Sequence, residues 1–129
     1  MSFYRFNDTV TLYTYIEDGY YERRVVPAVK VQVVEASDSE KTCATVYIPI
    51  FGRRSLKYRA FSENAKHDKS SFVVAPNQIM YLGFCPDDFP PDTSYTVSKV
   101  EAHLCGSRHV QHVKVVAHNI PSEEEIYYE

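Results

Sequence analysis

Apolar and polar positions alternate through residues 93–118, and this alternation predicts the two strands of a hairpin. In the second strand Val113, Val115 and Ala117 share one face and polar side chains take the other, the pattern of a half-buried strand. A short turn at Cys105-Gly106-Ser107 is expected between the strands, because its glycine supplies the positive φ that such turns need. The other strands are then expected to add to this hairpin.

The first strand of this hairpin changes phase partway along. Its apolar residues occupy odd positions as far as Val97 and even positions from Val100 onward. One additional residue accounts for the change, so the sequence predicts a β-bulge near Ser98-Lys99.

Four earlier segments also have the composition of strands, which are predicted at residues 9–16, 20–26, 29–33 and 43–48. Between the first two, Glu17-Asp18-Gly19 predicts the turn of a hairpin. Proline cannot donate to a strand ladder, so Pro27 is expected to end the second strand, and Pro49 is expected at the end of the fourth strand or on a sheet edge.

The segment from residue 51 to residue 84 is less regular. Residues 51–70 are expected to form a long exposed loop that includes a short strand at residues 58–61. Further strands are predicted at residues 71–75 and 78–84, with a kink at Pro76. The second of these is apolar on both faces from residue 79, as expected for a buried central strand.

These segments, without sustained helical periodicity, predict an all-β fold. The expected architecture is a small antiparallel β-barrel or sandwich of about eight strands with long loops. The 129 residues suit a single domain, placed at residues 1–120. Residues 121–129 are expected to form an acidic mobile tail.

Charge and cysteine content narrow the possible partners. The net charge is −3, and because four glutamates of the tail carry −4, the remainder of the chain is +1. This balance does not indicate a strongly basic nucleic-acid-binding surface. Three cysteines, an odd number, favour a reduced cytosolic origin. No apolar run approaches the roughly 20 residues that span a bilayer, and no cleaved signal peptide is expected, so no membrane partner is predicted.

Four of the five histidines lie between residues 103 and 118, which raises the question of a metal site. On one strand, His112 and His118 are about 20 Å apart at the usual rise per residue, too far to share an ion. The spacing of His103, Cys105 and His109 matches no standard zinc pattern. Surface histidines of a strand are therefore the preferred interpretation, and no metal or other cofactor is predicted.

Motifs for catalysis are also missing from the sequence, which has no G-x-S-x-G, P-loop or G-x-G-x-x-G. The adjacent carboxylates Asp87 and Asp88 lie in a proline-bounded loop, where a solvated surface is more common than an acid–base pair. The chain is accordingly predicted not to be an enzyme.

Two oppositely charged loops are the candidate interaction sites. The basic loop has a net charge of +4, with six cations that could contact phosphates or an acidic partner: Arg53, Arg54, Lys57, Arg59, Lys66 and Lys69. The acidic loop carries Asp87, Asp88 and Asp92. One hypothesis is that subunits join head to tail in a ring, with the basic loop of each subunit against the acidic loop of the next. Charge reversal at Arg53 and Arg54 is then expected to weaken assembly. The alternative is that both loops are simply solvated.

Between about residues 6 and 117, scattered positions resemble in order a group of small structural proteins from tailed bacteriophages, many infecting Gram-positive bacteria. The matching runs are Phe6-Asn7-Asp8-Thr9-Val10-Thr11-Leu12-Tyr13, Tyr20-Tyr21 with Arg24-Val25-Val26, Val29-Lys30-Val31, Thr45-Val46-Tyr47-Ile48-Pro49, Pro76 with Gln78-Ile79 and Gly83, Tyr95-Thr96-Val97 with Val100, and Gly106-Ser107 with Gln111-His112 and Val115. The chain departs from this pattern at Asn77-Gln78, in place of Gly-Asp, and at Val113, in place of an aromatic residue.

The resemblance implies a neck protein of the head-closure or stopper type. Such proteins form a homo-oligomeric ring, expected here to have six or twelve copies, between the portal–adaptor assembly and the tail-terminator or tail-tube proteins. They help to retain or pass the packaged DNA, and their fold is a small β-barrel with long loops. By this analogy residues 51–70 would project into the channel or bridge subunits, with DNA contacts that are independent of sequence. The protein would be made in the bacterial cytoplasm and reside in the virion.

Three alternatives remain open at the level of sequence. A tail-terminator or other connector ring usually mixes helices with its sheet, and no good helix is predicted here. A capsid decoration protein would bind the shell and not the portal axis. A cytosolic enzyme or ligand-binding barrel would be favoured by a deep apolar pocket with converging polar groups.

Overall fold

A computed structural model describes residues 7–35, 42–51, 57–59, 69–107 and 110–119. Eight β-strands lie in these ranges: β1 Asp8–Glu17, β2 Tyr20–Glu35, β3 Thr42–Pro49, β4 Lys57–Tyr58, β5 Ser71–Phe72, β6 Ile79–Leu82, β7 Tyr95–His103 and β8 His112–Asn119. The same ranges contain no α-helix, and therefore none that is long and apolar enough to cross a membrane.

Six of the strands form a closed barrel in the order β1-β2-β3-β8-β7-β6, with β6 returning to β1. Every neighbouring pair in the barrel is antiparallel. The other two strands, β4 and β5, pair in parallel as a separate small sheet. The all-β class and the antiparallel barrel are thus confirmed, whereas the predicted count of about eight holds for the strands described and not for the barrel wall.

Much of the barrel core consists of apolar side chains that alternation assigned to one face of a strand, most regularly on β3 and β8. On β3 the inward residues are Ala44, Val46 and Ile48, and on β8 they are Val113, Val115 and Ala117, all with no exposed surface. β1, β6 and β7 supply further core residues, namely Val10, Leu12, Met80 and Val97. Since a strand has a period of two, this alternation is sufficient to place one side chain in two inside the barrel.

The turn between β1 and β2 confirms the predicted hairpin. Asp18 and Gly19 both have positive φ, 52° and 81°, and Glu17 pairs with Tyr20. Two central residues of positive φ are what a two-residue hairpin turn requires, because that conformation matches the twist of the flanking strands.

The prediction that a strand ends at Pro27 is wrong, because β2 continues through it to Glu35. Pro27 pairs with Thr9 on β1, whereas the ladder with β3 begins only at Lys30. Pro27 is therefore not part of the β2–β3 ladder, so its missing N–H removes no hydrogen bond from that ladder. The next residue, Ala28, has φ 62°, and the register with β1 shifts at this point. β2 is thus one long irregular strand that pairs with β1 over its first part and with β3 over its second part.

The β7–β8 hairpin confirms one prediction and corrects another. The register shifts between Val97 and Lys99, which is the predicted bulge. The ladder, however, ends at the pair His103 and His112, so the connection spans residues 104–111 and not three residues. Gly106 has the predicted positive φ, 89°. The connection is longer because part of it folds on itself, with the Val110 amide donating to the Ser107 carbonyl.

The segment after residue 57 departs most from its prediction. The strand predicted at residues 58–61 is β4, at Lys57–Tyr58, and the strands predicted at residues 71–75 and 78–84 shorten to β5 and β6. Residues 79–84 are not buried on both faces: Met80 is fully buried, but Phe84 is 61% exposed. The apolar run misled because its last residues leave the barrel wall. Residues 60–68 and the predicted tail, residues 121–129, lie outside the described ranges.

Candidate functional site

The acidic loop that follows β6 is fixed to the barrel through its backbone. The Thr11 hydroxyl donates to the Gly83 carbonyl at 2.7 Å and accepts from the Cys85 amide at 3.1 Å. Arg23 on β2 donates to the Cys85 carbonyl at 2.8 Å. Because these side chains come from the β1–β2 hairpin, the loop is anchored to strands about 70 residues away in sequence.

Tyr13 is the third side chain that anchors this loop, and its ring is completely buried. Its hydroxyl donates to the Asp87 carbonyl at 2.8 Å. Burial raises the pKa of Tyr13 above its ordinary value, and the adjacent Cys85 thiol adds to the rise. The neutral phenol is therefore the form that the folded chain favours.

Replacement of Tyr13 by Phe is expected to lower the free energy of unfolding at neutral pH by about 1 kcal/mol, the net value of one hydrogen bond. The substitution should also change how the free energy of unfolding depends on pH in the alkaline range. A phenol whose pKa is raised by folding contributes stability that is present below its unfolded pKa of about 10 and lost as the pH rises beyond it. Urea unfolding measured below and above that pH should show that the variant loses less stability than the parent chain as the pH rises.

Tyr20→Phe is the matched control for this experiment, because Tyr20 is mostly exposed. It should follow the parent chain at both pH values. A Tyr13→Phe variant that loses as much stability at alkaline pH as the parent chain would contradict the raised pKa of Tyr13.

The predicted acidic residues Asp87, Asp88 and Asp92 are all exposed. Asp87 also accepts a weak hydrogen bond from the Cys85 thiol, with 3.8 Å between sulfur and oxygen. The loop therefore has a fixed backbone and outward carboxylates, an arrangement that suits contact with a cationic surface.

Three of the six predicted basic residues are described, and all three are exposed: Lys57, Arg59 and Lys69. The backbone amides of Lys57 and Arg59 donate to the carbonyls of Ser70 and Phe72, which holds this short segment beside β5. Arg53, Arg54 and Lys66 lie outside the described residues.

The structure brings one residue of the basic loop and one of the acidic loop to the same surface cleft. Lys69 and Asp88 line a cleft of about 400 Å³ together with residues from the start of β2. Aromatic side chains in its lining are Tyr20, Tyr21 and Phe89, and the other charged ones are Glu22, Arg23 and Arg24. We call this the hairpin cleft. Its volume falls within the usual range for ligand sites.

Sequence reasoning missed the hairpin cleft. Tyr20-Tyr21 followed by a charged run, Glu22-Arg23-Arg24, is an unusual strand composition and was the only available signal. The cleft itself exists because residues 69 and 88–89 fold against residues 20–24, and such a long-range approach has no local pattern.

Ion pairs within the hairpin cleft partly balance its charge. Arg24 contacts Glu22 with 3.0 Å between nitrogen and oxygen, and Lys69 lies 3.9 Å from the same carboxylate. Arg24 also donates to the Ser71 carbonyl at 3.2 Å. Three cations and two carboxylates line the cleft, so its formal charge is +1.

The histidines predicted to lie on a strand surface form a cross-strand pair. The rings of His103 and His112 stack at 4.8 Å between centroids, and His103 lies 3.3 Å from Glu101. Among the described residues, no group of three or more histidine, cysteine, aspartate or glutamate side chains is placed to hold a metal ion. Cys43, Cys85 and Cys105 are free thiols, of which only Cys85 is buried.

Comparison of the chain with protein-family models, with curated protein sequences and with solved structures gave no match.

Proposed function

We propose that this chain is a neck protein of a tailed bacteriophage, of the head-closure or stopper type. It forms a ring between the portal–adaptor assembly and the tail, and the ring closes the filled head. The observation that carries the proposal is a closed all-β barrel whose described residues include an exposed acidic loop and exposed cations of the basic loop. Combined with the ordered resemblance over residues 6–117, this architecture favours a scaffold whose loops bind neighbouring proteins.

The surface supports assembly in another way. Large apolar side chains are exposed at several places around the barrel: Tyr15, Tyr20, Val33, Val34, Phe51, Phe84, Phe89 and Leu104. Single exposed apolar residues are ordinary, but this number on a small domain favours burial against partners. In the proposed ring the exposed residues outside the hairpin cleft, among them Val33, Val34 and Phe84, lie at contacts between subunits or with the portal and tail proteins.

The location of the chain in the virion tests the proposal. Gold-labelled antibody against the purified protein is applied to particles of the phage that encodes it, and the label is located by electron microscopy. Label at the junction of head and tail is the expected result. Label distributed over the shell would favour a decoration protein, and particles without label would favour a cytosolic barrel, so either outcome would overturn the proposal.

The head-to-tail contact between loops is tested by charge exchange. R53E/R54E copies and D88K/D92K copies should each fail to complement a phage that lacks this gene, because the first change cancels the +4 charge of the basic loop and the second reverses the charge of the acidic loop. In a ring with an even number of subunits, alternation of the two variants places the two exchanged loops together at one contact and the two native loops together at the next. Co-expression of both variants should therefore recover plaque titre, with Lys30→Glu as a single-charge control. Full titre from either variant alone would contradict the contact.

A further inference from the structure

One wall of the hairpin cleft is aromatic. The Tyr21 ring contacts Phe89 at 6.3 Å and Tyr15 at 5.6 Å, both edge to face. Phe89 remains 62% exposed despite this contact, and the neighbouring Tyr20 is 69% exposed. These two rings offer apolar surface to a group that enters the cleft.

The other wall is cationic and held in place. Arg23 is oriented by the Cys85 carbonyl, which occupies part of a guanidinium with five donors, and Arg24 beside it binds the Ser71 carbonyl and the Glu22 carboxylate. Lys69 is 83% exposed and stands at the mouth of the cleft. A carboxylate brought to this wall would meet preorganised donors, and charge-assisted hydrogen bonds to carboxylates are among the strongest in proteins.

The last described strand ends close to this cleft. Asn119, the final residue of β8, donates from its side-chain amide to the carbonyls of Thr93 and Ser94. Thr93 is four residues from Phe89, a separation of at most about 14 Å. The ten residues that follow Asn119 can span about 33 Å when extended, so residues 123–128 come within reach of the cleft.

We propose that residues 121–129 bind in the hairpin cleft of their own chain. Their sequence, PSEEEIYYE, combines the two chemical groups that the cleft fits. The carboxylates of Glu123, Glu124 and Glu125 bind the cationic wall, and Tyr127 or Tyr128 packs on the aromatic wall. The contact needs only one copy of the chain, so it does not rest on the proposed neck function.

Carbodiimide coupling of the full chain tests this contact, because it joins a lysine to a carboxylate only when the two touch. Light chain and ¹⁵N-labelled chain are mixed before coupling, and linked peptides are identified by mass spectrometry. The Lys99–Glu101 pair, at 2.7 Å, provides an internal positive control. The expected result is a link from Lys69 to Glu123, Glu124 or Glu125 within chains of one isotope.

Substitutions in the aromatic wall sharpen the test. Phe89→Ala should lower the yield of the Lys69–tail link about fivefold, since it removes an aromatic contact. Phe84→Ala is the matched control, because Phe84 is similarly exposed but does not line the cleft, and it should leave the yield unchanged. Circular dichroism reports whether each variant remains folded, because Lys99 and Glu101 are only two residues apart and can be linked in an unfolded chain as well.

Two outcomes would overturn this inference. A Lys99–Glu101 link without any Lys69–tail link would show that the cleft does not hold the tail. Links that join light to heavy chains would show that the tail of a neighbouring copy is bound instead.

Discussion

Replacement of Gln78 by methionine is expected to lower the free energy of unfolding by about 3–5 kcal/mol. Gln78 is a buried polar residue between β5 and β6. Its side-chain carbonyl accepts from the Ala75 amide at 3.0 Å, and its amide donates to the Val73 carbonyl at 2.9 Å and the Thr14 hydroxyl at 2.8 Å. Methionine preserves the length of the side chain and removes all three hydrogen bonds.

The cost is large because two of the three partners of Gln78, the Ala75 amide and the Val73 carbonyl, are backbone groups that lose their hydrogen bonds. An unsatisfied buried donor or acceptor costs about 1–3 kcal/mol, and the substitution leaves one of each. Gln32→Met is the matched control, because Gln32 is exposed on β2. Urea unfolding followed by circular dichroism should separate the two variants. Equal stabilities of the Gln78→Met and Gln32→Met variants would mean that Gln78 does not hold the connection between β5 and β6 in place.

Truncation of Leu12 to alanine is expected to cost about 3–5 kcal/mol. Leu12 lies in the middle of β1, paired with Arg24 on β2 and Met80 on β6, and its side chain is buried in the barrel core. The loss combines the transfer of apolar surface with a cavity that a closed barrel cannot collapse around.

Leu104→Ala is the same chemical change at a residue that is 54% exposed, and it should alter stability by no more than about 0.5 kcal/mol. Both variants are compared with the parent chain by urea unfolding. A Leu12→Ala variant as stable as Leu104→Ala would place Leu12 outside the core and contradict the inward face assigned to β1.

The sequence predicted those parts of the fold that depend on neighbours along the chain. Alternation identified the inward faces of β3 and β8, and the change of phase located the bulge between Val97 and Lys99. The turn at Asp18-Gly19 followed from residue types that tolerate positive φ. Each of these features is decided within a few residues, so a local pattern is sufficient to predict it.

The errors occurred where distant residues decide the structure. Pro27 is tolerated because β3 pairs only with the later part of β2, and no local signal reports which strand will lie alongside. The run from residue 79 is apolar, but its exposed end at Phe84 depends on where the barrel wall stops.

In the candidate site, too, local sequence predicted some features and tertiary packing decided others. Charge alone identified the acidic loop and the basic loop, whose described members include the exposed residues Asp88 and Lys69. That these two line one cleft with Tyr20 and Phe89 depends on tertiary packing across more than 60 residues. Composition could therefore predict the chemistry of the loops but not the cavity that they share.

The strand order has a consequence for synthesis of the chain on the ribosome. β1, β2 and β3 are consecutive neighbours and can pair as soon as they emerge, but the other side of β3 pairs with β8, the last strand described. Until residues 112–119 are translated, β3 presents a row of unpaired backbone groups, which is a template for association with other nascent chains. Late closure by β8 therefore makes the interval before residues 112–119 emerge the period of greatest risk of misassembly.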